Sequence, residues 1–239
     1  AWLSDQYGFD VHPERLLAYC YALLGTRAFH ARFEDELRTP GPRVPLTTSS
    51  ALFTRAANAG ETLLWLHTFG QRCLPTGEPA GRVPRGATRC LAPVGTTYPH
   101  TSAYDADRLV LHVGDGRFGP LSRDAWAFAI SGMRVIPAWL NRRIAPARRG
   151  SVLDGVLLGE WSSGLSSELL EVVWVIEATL ALEPVLAAVL DDVCSGRCWE
   201  IPTFCMLDKE LLYGGGRQRP RDEIPLALVT AENFEPRPL

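Results

Sequence analysis

Apolar residues recur at helical spacing near both ends of this chain but not in its middle, and that break limits what it can fold into. Pro13 is tolerated in a first helical turn, and Leu16, Leu17, Cys20, Leu23 and Leu24 then share one face. Gly25 predicts the end of that helix and Thr26 the cap of the next, whose face holds Phe29, Phe33 and Leu37. Thr39-Pro40-Gly41-Pro42 breaks the pattern, and Pro45 holds Arg43-Val44 extended. Ser49 or Ser50 caps a third helix carrying Leu52, Phe53, Ala56, Leu63, Leu66 and Phe69.

From Gly70 the pattern changes. Residues 70–100 are rich in Pro, Gly, Thr and Arg, with a strand-like piece from Arg89 to Val94. Arg108 to Val113 reads as a strand, followed by a Gly114-Asp115-Gly116 turn. After Phe118 and a Gly119-Pro120 turn, a second strand is expected over Ala125 to Ile130. A short helix near Gly132 carries Val135, Ile136, Trp139 and Leu140. Ser151 with Asp154 makes a capping box, and Ser166 or Ser167 opens a long apolar helix. Pro184 should kink or split that helix before Val185 to Leu190. From Cys194 the tail is irregular, with Pro202 and Gly214-Gly215-Gly216. The prediction is an α+β fold in which helical scaffold segments flank a loop-rich strand region. Residues 1–70 form the first helical part, 71–150 the strand and loop part, and 151–239 the last helical part and tail, in one integrated domain.

Charge follows the same partition. Residues 71–150 hold 12 Arg against five acids, net +7, whereas residues 1–70 sum to -1 and residues 151–239 to -9. The whole chain, at -3, conceals this dipole. Of 24 bases only Lys209 is lysine, as a GC-rich genome would favour, so position rather than abundance carries the information. Segregated arginine suggests a polyanionic partner, most commonly nucleic acid.

Other chemistry is sparse. Cys194, Cys198 and Cys205 have C-x3-C-x6-C spacing with no following His, which fits a zinc site poorly. With Cys20, Cys73 and Cys90 they read as buried or half-buried thiols of a cytoplasmic protein. No uninterrupted apolar run approaches the roughly 20 residues of a membrane span, and Val172 to Ile176 is bracketed by Glu171 and Glu177. There is no signal-peptide pattern, and Ala at position 1 suggests a piece of a longer polypeptide. Trp65, Trp126, Trp139 and Trp174 fall on apolar faces and are expected in cores, with His67 a packed helix residue.

Two blocks resemble a known family. The first is Tyr19-Cys-Tyr-Ala-Leu-Leu24, Phe29, Phe33-Glu-Asp-Glu-Leu37, Pro42-Arg-Val-Pro-Leu46, Phe53, Gly60 and Leu64-Trp-Leu-His67. The second is Trp126-Ala-Phe128, Gly132, Val135-Ile136, Trp139-Leu140 and Arg142-Arg143. Together they are similar to the C-terminal specificity, or target-recognition, domain of single-chain Type ISP restriction-modification enzymes. The chain departs at Met133, where the family pattern tends to have Tyr, and at Pro137 inside the short helix; the tail after residue 194 does not align.

The resemblance implies a non-catalytic reader of double-stranded DNA. It would sit beside an adenine methyltransferase domain using S-adenosylmethionine and, in complete enzymes, a helicase-like motor and nuclease. The chain itself has no Asn-Pro-Pro-aromatic or Asp-Pro-Pro-aromatic motif, no glycine-rich cofactor loop after a strand and no G-x-x-x-x-G-K-S/T loop. No cofactor is therefore expected for the chain itself, and no catalytic residue or metal ligand is singled out.

The candidate DNA contacts are eight of the arginines of the basic third and four of their neighbours. Asn141 to Arg149 places Arg142, Arg143, Arg148 and Arg149 within nine residues, suited to clamping phosphates or, equally, to a solvated loop after a helix. The loop with Arg82, Arg85 and Arg89 could place guanidinium groups against guanine, or be an ordinary exposed loop. Thr96, Thr97, Tyr98 and His100 could supply neutral hydrogen bonds, and Arg134 joins the set. Arg43 is better explained by pairing with Glu34 or Glu36. The rival reading is a protein-interaction module of a larger protein, its charge asymmetry matched to an acidic partner.

Overall fold

In the computed structural model, residues 2–38, 44–74, 79–95, 98–144 and 161–199 are described. The chain forms two units, Ala1–Trp65 with Leu182–Leu239, and Leu66–Ala181.

The first unit contains α1 (Trp2–Tyr7), α2 (Pro13–Leu24), α3 (Arg27–Arg32), a 3-10 turn (Glu36–Arg38) and α4 (Ser50–His67) up to Trp65. The last part of α7 (Ser163–Ser195), from Leu182, completes it. The turn after α2 is built as the sequence predicts. Thr26 Oγ1 accepts a 3.2 Å hydrogen bond from Ala28 N and donates one of 2.9 Å to Glu183. The buried face of α2 differs from expectation: Ala18, Tyr19, Ala22 and Leu23 are buried, and Leu17 is 57% exposed. The reason is close helix packing. A Cβ on Gly60 of α4 would lie 1.8 Å from the carbonyl oxygen of Ala18, so small residues make this crossing and Leu17 is turned outward.

Around that crossing sits an aromatic core. Tyr19 stacks on Phe53 at 5.0 Å, with Tyr7, Phe29 and Phe33 in the same cluster. The Tyr19 hydroxyl donates to Pro45 O (2.6 Å) and accepts from Thr47 N (3.2 Å), fixing the extended segment after residue 43. Burial raises the Tyr19 pKa and pushes that of Tyr7 up to about 12; Tyr7 donates to Thr47 O at 2.5 Å. Residues 197–199 return to this segment through Thr48 N to Arg197 O and Trp199 N to Leu46 O, both 2.8 Å. Leu37 and Phe69 fall outside the core at 37% and 40% exposure. Phe69 lies beyond the end of α4 with φ +51°, so the helical face assigned to it ends at Leu66.

Helix α7 runs unbroken through Pro184. An internal proline removes one hydrogen bond and costs about 3 kcal/mol. Burial of Leu186, Val189, Leu190 and Val193 offsets it at roughly 1.5–3 kcal/mol each, so of the kink or split expected at Pro184 the split does not occur. Among the described residues this helix alone has the length and composition to cross a membrane, its best 18-residue window having mean hydropathy 1.9. Counting uninterrupted apolar runs misses it because glutamates interrupt the run. One of them, Glu177, accepts hydrogen bonds from Ala87 N (2.7 Å) and Thr88 Oγ1 (2.6 Å), as in the core helix of a globular unit.

The second unit holds the sheet. Strands β1 (Arg89–Ala92), β2 (Ser102–Asp105), β3 (Val110–Val113) and β4 (Gly116–Gly119) form an antiparallel sheet in the order β1-β4-β3-β2. One sequence expectation is corrected here. Ala125 to Ile130 is not a single strand but divides between α5 (Arg123–Ala127) and the two-residue β5 (Ala129–Ile130), and β3 pairs with β2 and β4. Ser122 explains the change: its side chain accepts from Ala125 N at 3.1 Å and starts a helix. The sequence reading also passes over β2 and α1. Cys73 and Cys90 are exposed rather than buried. Ser151, Asp154 and the tail beyond Trp199, including Cys205 and Gly214 to Gly216, lie outside the described residues.

Candidate nucleic-acid interface

Side-chain alternation divides the four-stranded sheet into two faces. One face presents Tyr104, Leu111, Val113 and Phe118, which pack in one core with Leu169, Val173 and Ile176 of α7 and with Ile136 and Leu140 of α6 (Val135–Asn141). The other carries a row across all four strands: Ala103 opposite His112, His112 opposite Arg117, and Arg117 opposite Ala92. Small alanines at both edges leave the Arg117 and His112 side chains standing above the face. Arg117 is exposed, with no ion pair to a described carboxylate. The sequence reading does not single out either residue. The signal was there in the alternation Gly116-Arg117-Phe118, once that segment is recognised as a strand.

After the sheet, β5 pairs with β6 (Met133–Arg134), Ala129 opposite Arg134 and Ile130 opposite Met133. Ser131 and Gly132 connect them with φ +49° and +78°, the paired positive values of a two-residue type I′ turn. The base of this hairpin is fixed by rings. Arg134 lies over Trp126 at 5.6 Å, Trp126 stacks on Tyr104 at 4.9 Å, and the Tyr104 hydroxyl donates to Leu121 O at 2.7 Å.

The predicted contacts separate into engaged and free groups. Arg143 is engaged: its guanidinium lies 4.0 Å over Trp139 and 3.5 Å from Glu168. Tyr98 is engaged too, donating its hydroxyl to Arg143 O and meeting Trp161 edge-on at 6.0 Å. Arg89 bonds the carbonyls of Gly86 and Thr88 and lies 5.9 Å over Trp174. Trp174 Nε1 in turn donates to Thr88 O at 2.8 Å, anchoring the preceding loop. These three side chains brace the unit.

Arg82, Arg85 and Arg142 are exposed and, like Arg117, have no described carboxylate within ion-pair distance. His100 is exposed beside the β3–β4 turn, where Gly114 N donates to Thr101 O at 2.9 Å. Arg123 and Arg108 differ, pairing with Asp107 (3.4 Å) and Asp105 (3.9 Å). Backbone N–H groups of Arg108 and Asp107 hold the Asp105 carboxyl below its usual pKa. Thr96, Thr97, Arg148, Arg149 and Arg43 lie outside the described residues.

His67 is the packed histidine expected, its Nε2 3.1 Å from Thr179 Oγ1 and its pKa lowered by burial. Burial raises the pKa of Cys194, to about 11, and of Cys198 and Cys20, so these thiols stay protonated at neutral pH.

No curated protein matches the chain. The fold is shared with a chain in the cryoEM structure of a DrdV-DNA complex, with TM-score 0.51 and 15% sequence identity. The match covers 79% of this chain and 19% of that one, so the chain spans about a fifth of that protein's length. The model of the Type ISP C-terminal specificity domain matches residues 2–154, the whole of the helical start and the basic sheet region, and the chain belongs to that family.

Proposed function

We propose that this chain is the target-recognition domain of a restriction-modification enzyme or related phage-defence methyltransferase, and that it binds double-stranded DNA in a sequence-specific way. One observation carries the reading beyond family membership. In the basic segment the exposed arginines Arg82, Arg85, Arg117 and Arg142 lack described carboxylate partners, while Arg89 and Arg143 are used internally. Free guanidinium groups cost self-repulsion in an isolated unit and become favourable when phosphates replace counterions. The fold shared with a chain of the DrdV-DNA complex supports the same reading.

In this reading the chain does no chemistry itself. Methyl transfer from S-adenosylmethionine belongs to a companion methyltransferase domain, with helicase and nuclease domains as further partners, in the cytoplasm. The test is a mobility-shift titration of duplex DNA over a salt series. Binding should weaken steeply with salt, the logarithmic slope being about -0.9 per phosphate neutralised. Salt-independent binding, or none, would remove the reading and leave a protein-interaction module.

A further inference from the structure

The β5–β6 hairpin carries an unexplained apolar tip. Ile130 and Met133 are 55% and 52% exposed in a unit whose other large apolar groups are mostly packed. They stand opposite one another across the ribbon, so both project from one face, while Arg134 on the other face is held over Trp126. The turn is open at Gly132, where a Cβ would meet nothing within 4 Å. A tight I′ turn on a ring-anchored base makes a stiff projection rather than a loose loop.

The charge around the tip selects its partner. From Ala125 to Ile144 there is no carboxylate, and Arg134, Arg142 and Arg143 fall within the same 20 residues. Of these Arg143 faces Glu168, while Arg142 has no described carboxylate partner; an apolar tip flanked in sequence by arginines suits a polyanion that also offers apolar surface. Duplex DNA has such surface in the thymine C5-methyl groups of the major groove. That groove, roughly 12 Å wide, admits a two-stranded ribbon in undeformed duplex, whereas the minor groove at roughly 6 Å takes one only when the duplex is widened or bent.

We infer that the Ile130–Met133 tip enters the major groove and reads thymine by its methyl group. This rests on the duplex-binding reading above and goes further by assigning a base and two specificity-determining side chains.

The experiment starts by selecting bound duplexes from a randomised pool with the 239-residue chain. Uracil then replaces thymine one position at a time, removing only the methyl. At one or two positions the uracil duplex should bind about four-fold more weakly, as expected for one buried methyl. Ile130→Ala with Met133→Ala should bind thymine and uracil duplexes equally, with an unchanged salt slope. Met133→Leu, which keeps the tip apolar, should retain the discrimination and serves as the folded control. Equal binding of thymine and uracil duplexes by the unmodified chain would overturn the inference while leaving duplex binding intact. Discrimination that persists in the double alanine variant would also overturn it. Failure of the unmodified chain to retain any duplex would overturn the duplex-binding reading itself.

Discussion

Trp126 stacks on Tyr104 with ring centroids 4.9 Å apart and planes 24° from parallel, joining the α5 segment to strand β2. Both residues are partly buried against the sheet core, and the Tyr104 hydroxyl spans to Leu121 O. Tyr104→Phe should therefore lower the stability of the second unit by about 1 kcal/mol, the net worth of one hydrogen bond. Trp126→Ala should cost more, about 2–4 kcal/mol, because it also removes the stack and the ring beneath Arg134. Urea denaturation followed by tryptophan fluorescence and circular dichroism measures both; equal losses would contradict the ring-anchored hairpin base.

Arg142 and Arg143 are adjacent in sequence but should behave differently. Arg143→Ala is expected to lower the melting temperature, since its guanidinium covers Trp139 at 4.0 Å and faces Glu168. Arg142→Ala should leave melting unchanged and weaken duplex binding. The paired measurement is thermal unfolding and DNA affinity for each variant, and the reverse pattern would refute the assignment.

Arg117→Ala should reduce the logarithmic salt slope of duplex binding by about 0.9, the release expected for one phosphate contact. The substitution lies on the exposed face of β4, so stability should change by less than about 0.5 kcal/mol. A slope identical to that of the unmodified chain would take the sheet face out of the interface. Charge reversal at Arg148 and Arg149 should weaken binding to all sequences alike, whereas Arg82→Ala and Arg85→Ala should alter sequence preference. Unchanged duplex affinity after both sets would remove the basic segment from the interface.

His67 makes stability depend on pH in a definite direction. Its folded pKa is below the unfolded value of about 6.5, so the unfolded chain binds a proton first as pH falls. Its contribution is complete above about pH 6.5 and is lost progressively below it, by at most about 1.4 kcal/mol per pH unit. His67→Gln should flatten this part of the profile between pH 5 and 8. A stability advantage of the unmodified protein over His67→Gln that shrinks with rising pH would show the sign to be wrong.

Gly60→Ala should be among the most damaging single-methyl additions, at least about 3 kcal/mol, because the new carbon meets backbone at Ala18 rather than a side chain that can move. Gly132→Ala offers the contrast. It meets open space and bears only the cost of positive φ, about 1–2 kcal/mol. Similar losses at the two sites, measured by chemical denaturation, would argue against the tight α2–α4 crossing.

Much of the scaffold was legible from periodicity and caps. Helices α2, α4 and α6 stand where apolar spacing put them, and Thr26 caps as its type suggests. What escaped depends on contacts distant in sequence. Leu17 looks like a core residue until Gly60 brings α4 against the alanine side of α2. Ala125 to Ile130 looks like a strand because its composition does not reveal that Ser122 will nucleate a helix first. The basic segment was visible in the sequence, but arginine type alone could not separate Arg143 and Arg89, held over rings, from Arg117 on an open sheet face.

The two units differ in continuity, and this bears on how each is made. The second unit is one stretch, Leu66–Ala181, whereas the first needs Leu186, Val189, Leu190 and Val193 to finish cores begun by residues before Trp65. On the ribosome the sheet-bearing unit is therefore fully synthesised while the helical one still lacks its closing segment. In genetic terms the former is an insert within the latter, and exchanging one uninterrupted block of coding sequence would replace every strand of the sheet without altering a residue of the helical frame.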